Sequence, residues 1–326
     1  TSGYSNVAVG FQALVTNTDG FQNTAIGTSA LYYNLGTDNN TAVGDQAGMY
    51  TTGASNTYVG SSAGKGASGA DANNVGVGKE ALKVITSGTE NVAIGKTAME
   101  DANTAAGNVA IGTECLMNLT DGTNNVAIGK VSLNGAGVNP SSSVAVGYGA
   151  SRYAQGNNNV SLGHSALKGA AGFSGTNNIA IGYESFDAVG AGESSNIIIG
   201  MAAGGAFDEG DNGTIDNNVA IGTDAFLGGD LNTASTSVTG NIVIGSNAMN
   251  STGTNAQTGT IAIGYDALTA LTSGVRNTAI GYRSGQSLAS SSDCLLVGYE
   301  AGRDMDSLGT TPQSCTYIGG YAGRYL

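Results

Sequence analysis

The chain contains few residues of the kinds that carry out catalysis, and their spacing matches none of the common catalytic patterns. Its only histidine, His164, directly follows Gly163 and is expected in an exposed turn. A Ser-His-Asp triad needs a buried histidine that a carboxylate orients, and a zinc site needs several His or Cys ligands. Neither pattern is present, so we expect no enzyme activity and no cofactor.

Three carboxylates occupy equivalent positions of a repeated pattern, two repeats apart: Glu184, Asp224 and Asp266. Paired carboxylates in a groove can hydrolyse glycosidic bonds. A row of acids on a convex turn lacks the burial that would raise the pKa of one member into the range of a general acid. A glycan depolymerase is therefore the less favoured alternative.

The longest insertions in the pattern follow Gly200 and Gly222, and the first of them is acidic. Its residues Asp208, Asp211 and Asp216 offer oxygen ligands of the type that Ca²⁺ prefers. Their spacing does not match the EF-hand loop, so we expect a solvated loop and no metal. Loops that protrude from a regular scaffold are also candidates for binding specificity.

Tyrosines and cysteines form two further candidate sites near the C-terminus. Tyr265, Tyr282 and Tyr299 recur at one position of the pattern, with Arg283 in the next position; they predict either a recognition surface or simple stabilisation between neighbouring repeats. Cys294 and Cys315 replace the same asparagine in consecutive repeats, so they form either a disulfide or two free thiols. Cys115 is expected to be buried and inert.

A tandem repeat organises all of these positions. Asn-Val-Ala-Ile-Gly occurs at residues 91–95, 108–112 and 125–129, and a relaxed form occurs eighteen times, usually 16 to 19 residues apart. An aliphatic residue precedes the glycine in every copy, and a small residue follows three positions later. The apolar period of two indicates strands rather than helices.

This repeat predicts an all-β fold, a parallel β-solenoid of about 18 coils with a period of about 17 residues and two short strands per coil. In each Val-Ala-Ile segment, we expect the two β-branched residues to face inward and the alanine between Val and Ile to face outward. Ile94, Ile111 and Ile128 would then form a core ladder. Asn91, Asn108 and Asn125 are expected to form an amide ladder. Residues 1–326 are interpreted as one repeat domain, with regular coils at 1–200, longer loops at 201–260 and C-terminal coils at 261–326.

The Asn-Val-Ala-Ile-Gly motif, with Ala or Ser three residues later, resembles the head repeat of YadA-like trimeric autotransporter adhesins. It is also similar to repeats of bacteriophage tail fibres, as at Asn277-Thr278-Ala279-Ile280-Gly281-Tyr282. The resemblance covers nearly the whole chain and implies a left-handed β-roll in which three chains pack around a common axis. It further implies an adhesive or receptor-binding fibre at a cell or virion exterior. The heptad stalk and the membrane anchor of the adhesins have no counterpart here.

Composition and charge narrow the possible partners. The chain has 326 residues, 54 Gly, 40% hydrophobic residues and a net charge of −13. No cluster of Lys and Arg is visible, so we expect no nucleic-acid partner, and no apolar run is long enough for membrane insertion. We expect a homotrimer with a cell-surface glycan or protein as receptor, in an extracellular setting; a purely structural filament is the alternative. The first residue is Thr1, so we expect a processed protein or a segment of a longer one.

Overall fold

The computed structural model describes residues 3–66, 69–135, 139–170, 172–190, 192–205, 214–228, 237–253, 255–306 and 312–325. The chain divides into two compact units, Thr1–Asn158 and Asn159–Leu326. Each unit is a stack of coils, and each coil contributes one short parallel strand to a sheet. The predicted all-β parallel solenoid is confirmed.

The first unit contains nine strands of three residues, and each pairs in parallel with the next along the chain. The register is constant: Val92, Ala93 and Ile94 lie opposite Val109, Ala110 and Ile111. The strands are β1 (Val7–Val9), β2 (Thr24–Ile26), β3 (Thr41–Val43), β4 (Thr57–Val59), β5 (Val75–Val77), β6 (Val92–Ile94), β7 (Val109–Ile111), β8 (Val126–Ile128) and β9 (Val144–Val146).

The second unit contains a main sheet of nine strands and a smaller sheet of three. The main sheet comprises β10 (Val160–Leu162), β11 (Ile179–Ile181), β12 (Ile197–Ile199), β14 (Val219–Ile221), β16 (Ile242–Ile244), β18 (Ile261–Ile263), β19 (Thr278–Ile280), β20 (Leu295–Val297) and β21 (Thr316–Ile318). The smaller sheet comprises β13 (Thr214–Asp216), β15 (Ser237–Thr239) and β17 (Gln257–Thr258).

A second strand in each coil was expected, but among the described residues only a few coils form one. Besides the smaller sheet, the second ladder is reduced to isolated bridges that join Ala72, Thr89, Ala106 and Thr123. Elsewhere the wall opposite the main sheet consists of stacked turns, in which Leu82 N donates to Ala98 O at 3.0 Å. Residues such as Leu82 and Met99 have positive φ (54° and 50°), which prevents an extended strand there.

The predicted orientation of the two sheet faces is wrong. Ala93, Ala110 and Ala127 are fully buried, whereas Ile94, Ile111 and Ile128 are 39%, 37% and 37% exposed. The isoleucines do lie above one another in register, but they form a ladder on the outer face rather than in the core. The alanine column therefore forms no outer packing strip.

The opposite wall of the coil explains why alanine faces inward. Large side chains from the stacked turns, including Leu82, Met99 and Leu116, are fully buried between that wall and the sheet. Because a close-packed interior accepts little extra volume, only a small side chain fits against them from the strand.

Exceptions to the alanine rule show the same volume constraint. Ile198 replaces the alanine in β12, and the residue of the same coil that would otherwise be large is Gly204. A Cβ on Gly204 would lie 3.2 Å from Ile198 Cγ2 and 3.3 Å from the Phe186 ring. The same exchange pairs Tyr58 with Gly64 and Tyr317 with Gly323. Core adjustment therefore accounts for these glycines.

The strand-ending glycine is required by close packing between coils. Gly95 has φ +141°, and a Cβ there would lie 2.4 Å from Gly112 O in the next coil. No larger residue fits at that distance, so the invariant glycine follows from the stacking itself.

Candidate functional site

The most extensive distinctive surface is an aliphatic strip on the outer face of each main sheet. We define it as the first and third residues of each main-sheet strand, which are Val, Ile, Leu or Thr in every main-sheet strand of either unit. In the first unit, nine strands at a spacing of about 4.8 Å make the strip roughly 40 Å long. Its well-exposed apolar members are Val7, Val9, Ile26, Val59, Ile94, Ile111 and Ile128 in the first unit, and Leu162, Ile197, Ile242, Ile280 and Ile318 in the second.

An asparagine ladder lies directly beside the strip and fixes its register. Asn108 Nδ2 donates to Asn91 Oδ1 at 3.1 Å and to Gly122 O at 2.9 Å. Asn108 Oδ1 accepts from the backbone N–H and from the side-chain amide of Asn125, at 2.9 Å and 3.0 Å. All three asparagines are fully buried. The amide thus serves both as cap of its own turn and as a bridge between coils.

A tyrosine ladder borders the strip in the second unit. The rings of Tyr265 and Tyr282 stack with centroids 5.6 Å apart, and those of Tyr282 and Tyr299 at 5.2 Å. Tyr321 continues the ladder edge-on to Tyr299 at 5.3 Å. Because the inner ring faces cover one another, the ladder presents ring edges and hydroxyls to solvent.

Arg283, predicted as part of a recognition surface, is already engaged within the chain. Its Nε lies 3.3 Å from Asp266 Oδ2, and its guanidinium lies 4.9 Å from the centroid of the Tyr282 ring. Asp266 Oδ2 also accepts from Gln286 Nε2 at 3.2 Å. The contacts favour the stabilising interpretation of this patch over a role in recognition.

The last coils are held by a disulfide and by ion pairs. Cys294 and Cys315 are joined in a disulfide, with Cα atoms 4.6 Å apart, at consecutive positions of the asparagine column. Glu300 Oε2 lies 3.0 Å from both Arg303 Nη1 and Arg324 Nη1. Cys115 is buried, and burial raises the pKa of its thiol to about 12, in agreement with an inert side chain.

The candidate catalytic residues are not brought together into a cleft. His164 is exposed and stacks on Tyr183 with ring centroids 5.2 Å apart. Asp266 lies in the network around Arg283, two coils away from Asp224 and four from Glu184. Across the residues that the structure describes, no cavity is found.

The sequence did not single out Asp187, a carboxyl close to Glu184 with a raised pKa. Burial and, second, the nearby charge of Glu184 raise the pKa of Asp187 to about 6, although Lys168 acts in the opposite direction. Asp187 lies three residues after Glu184 in a stacked turn. It therefore does not belong to the repeated position that Glu184 shares with Asp224 and Asp266.

The three aspartates considered as possible calcium ligands, Asp208, Asp211 and Asp216, are only partly within the described residues. Asp208 and Asp211 lie outside them. Asp216 Oδ1 accepts a hydrogen bond from Ser194 N at 2.7 Å, so this oxygen is used in holding the adjacent coil. In the described part of the chain, no group of three or more His, Cys, Asp or Glu residues could hold a metal ion.

A buried carboxyl with a raised pKa lies inside the first unit. Asp71 Oδ2 accepts a 2.7 Å hydrogen bond from the hydroxyl of Tyr58, and both residues are buried. Burial raises the pKa of Asp71 to about 6, although the hydrogen bond from Tyr58 acts in the opposite direction. Burial, followed by the Asp71 charge, also raises the pKa of Tyr58. The sequence did not reveal this pair, because Tyr58 occupies the alanine position of its strand, which was expected to face outward.

Comparisons with known proteins do not assign the chain to a family. No protein-family model matches the chain. No curated protein matches it either. Among the described residues, no helix has the length and apolar character needed to cross a bilayer.

Proposed function

We propose that this chain is a structural and adhesive fibre segment that works as a homotrimer, with the aliphatic strips of three copies packed around a common axis. The observation that carries the proposal is the outward ladder of Ile94, Ile111 and Ile128, with more than a third of each side chain exposed in a single copy. A contiguous apolar strip of this kind is typical of an interaction surface.

A second copy of the chain is the occupant that fits the strip best. The strip keeps a constant register and repeats one pair of positions, so an identical strip matches it coil by coil. Closed cyclic symmetry buries the same patch of each copy and leaves none exposed. The resemblance to trimeric adhesin and tail-fibre repeats favours three copies over two.

The remaining surface supports a display role outside the cell. The disulfide between Cys294 and Cys315 is of the kind that persists in oxidising surroundings. The loops and the surface that the three copies do not bury against one another are then available for a glycan or protein receptor. A phage tail fibre and a cell-surface adhesin both fit this role, and no enzyme activity is proposed.

The oligomeric state tests this proposal directly. Sedimentation equilibrium is expected to give three times the 32.1 kDa chain mass for the native protein. The triple variant Ile94→Gln/Ile111→Gln/Ile128→Gln is expected to sediment as a single chain. The control Val15→Gln/Leu35→Gln/Val84→Gln changes exposed apolar residues outside the strip and is expected to stay trimeric. A native protein with the mass of one chain at every concentration would contradict the proposal.

Adhesion needs a separate measurement. The trimer is expected to bind whole cells or a glycan array, and to lose binding when residues 205–217 and 227–240 are shortened. A protein that is trimeric but binds neither cells nor glycans would favour the purely structural filament. A protein that releases reducing sugar from the array glycans would favour the depolymerase instead.

A further inference from the structure

Three lysines form a column on the first unit that the sequence does not reveal. Lys79, Lys96 and Lys130 each directly follow a strand-ending glycine, and all three are exposed. In sequence they are 17 and 34 residues apart, so they form no visible cluster. We define them, with Thr113 in the coil between the last two, as the lysine column.

The stacking of the coils places these lysines above one another. Thr97 N donates to Lys79 O at 2.9 Å, Glu114 N to Lys96 O at 3.0 Å, and Val131 N to Thr113 O at 3.1 Å, in successive coils. At a spacing of about 4.8 Å per coil, the four positions span roughly 14 Å along the sheet. Three ammonium groups therefore share one short line on a protein with a net charge of −13.

No ion pair in the described part of the chain holds the lysines of this column. Among the described residues, no carboxylate oxygen lies within 4.0 Å of Nζ of Lys79, Lys96 or Lys130. The neighbouring carboxylates of Glu80 and Glu100 instead hold Lys83, at 3.4 Å and 2.9 Å from its Nζ. This contrasts with Arg283, which is engaged by Asp266 and Tyr282.

The fold does not require lysine in this column. Other coils carry Phe11, Thr28 or Ser61 at the same position. Lys79 and Lys96 lie in adjacent coils, where like charges repel one another as they do when paired across a sheet. A column of lysines without an ion pair in the described part of the chain is best explained by an anionic ligand.

We propose that the lysine column binds a linear acidic polysaccharide that lies along the solenoid axis, with carboxylate groups repeated along the polymer. An extended polyanion matches a row of ammonium groups at regular spacing better than a compact anion does. A single nucleic-acid strand fits less well, because the column between Lys79 and Lys130 contains no aromatic ring on which bases could stack. This inference deepens the proposed adhesive role, and rests on it for the view that the ligand is a surface polymer.

Fluorescence anisotropy with labelled polygalacturonate as the probe tests the proposal on the full chain. Native protein is expected to bind at low salt and to release the polymer at about 0.5 M salt, where screening is strong. The variant Lys79→Gln/Lys96→Gln/Lys130→Gln is expected to bind roughly tenfold more weakly, from three exposed charge contacts of about 0.5 kcal/mol each. Labelled dextran, which is neutral, is expected not to bind.

A charge-matched control separates the column from net charge. Lys65→Gln/Arg152→Gln/Lys168→Gln removes the same number of charges outside the column and is expected to bind polygalacturonate within about twofold of native protein. Equal losses in both triple variants, or no binding by native protein at low salt, would overturn the proposal. Tighter binding of a poly-dT oligonucleotide than of polygalacturonate would overturn it in favour of nucleic acid.

Measuring sedimentation and polymer binding on the same samples distinguishes failure of the lysine-column proposal from failure of the trimer proposal. The sedimentation mass of each variant is measured before the binding experiment. A native protein that binds the polymer but sediments as one chain would refute the trimer and leave the lysine column supported. A trimer without polymer binding would do the reverse.

Discussion

At the scale of single residues, the asparagine found in most coils links neighbouring coils through its side-chain amide. Asn108 makes side-chain contacts with Asn91, Asn125 and Gly122, so one amide connects three consecutive coils. Aspartate has nearly the same shape but cannot donate to a carbonyl. This chemistry accounts for an asparagine column where turn preference alone would also accept aspartate.

Replacing Asn108 with alanine is expected to lower the free energy of unfolding by about 2 to 4 kcal/mol, because buried partners on Asn125 and Gly122 lose their hydrogen bonds. Asn108→Asp is expected to cost more, since a buried carboxylate would face a carbonyl oxygen. Urea unfolding measures both changes. The control Thr113→Ala removes a side chain outside the ladder, and an equal effect there would contradict the special role of Asn108.

Asp71 is expected to make the first unit less stable at neutral pH than in weak acid. Its pKa is about 6 in the folded state against 3.8 for an ordinary aspartate, so folding favours the protonated form. The stabilisation is complete below pH 3.8 and is lost as pH rises through 6, by about 3 kcal/mol in total.

The variant Asp71→Asn keeps an acceptor for Tyr58 but does not titrate. It is therefore expected to be more stable than native protein at pH 7 and similar to it near pH 4, as measured by urea unfolding. Asp121→Asn, at an exposed position, is the matched control and should leave the pH dependence unchanged. A native protein whose stability rises between pH 4 and pH 7 relative to Asp71→Asn would refute this account.

At the scale of elements, the strand and the stacked turns of several coils exchange a large side chain for a small one. In β12 the strand supplies Ile198 and the turns supply Gly204, whereas the coil of β11 has Ala180 and Phe186. Each solution combines one large side chain with one small residue, so a change on one side is expected to be compensated by a change on the other.

A double-mutant cycle at this coil tests the volume rule. Ile198→Ala alone is expected to cost about 2 to 5 kcal/mol through the cavity it leaves. Gly204→Phe alone is expected to be more disruptive, because its Cβ would already lie 3.2 Å from Ile198. The double variant reproduces the pattern of the neighbouring coil and is expected to recover at least half of the summed loss. Additive losses in thermal unfolding would refute the rule.

The disulfide of the last coils is also a property of an element. Cys294 and Cys315 close a loop with a sequence separation of 21 residues, for which chain entropy predicts about 3 kcal/mol of stabilisation. Cys294→Ala/Cys315→Ala is therefore expected to make the C-terminal coil sensitive to proteolysis. Cys294→Asn/Cys315→Asn is expected to restore part of the protection by extending the asparagine ladder. Equal protection in all three proteins would show that the ion pairs of Glu300 suffice.

The sequence predicted the strands of the main sheet well, but neither the absence of a second strand in most described coils nor the direction in which the main strands face. The repeat of Asn108, Val109 and Gly112 determines the strand, its end and its register, because these depend on spacing alone. Which face is buried depends on what lies opposite, and the large residues of the turns, such as Leu116, were not recognised as the filling of the core. Lys79 and Lys96 were missed for a related reason, since residues distant in sequence become neighbours only after stacking.

At the scale of the whole molecule, one consequence of the outward isoleucines dominates. An ordinary solenoid with one solvated face would carry polar residues at these positions, as half-buried sheets generally do. Here the strand residues on both sides of the alanine are mostly aliphatic, with Thr as the only other type, while the net charge of −13 is carried elsewhere on the surface. The apolar character of this outer face is what the proposed packing of three copies requires.

Cross-linking through the strip tests this central claim most directly. In a cyclic trimer the same residue of every copy lies at the same height beside the axis, so Ile111→Cys is expected to form a covalent dimer between two of the three chains under mild oxidation. Native protein, whose Cys115 is buried, and Asp121→Cys, which lies on another exposed surface, are expected to stay uncross-linked. Ile111→Cys protein that remains a single chain, with its thiol freely labelled by a maleimide, would contradict the account.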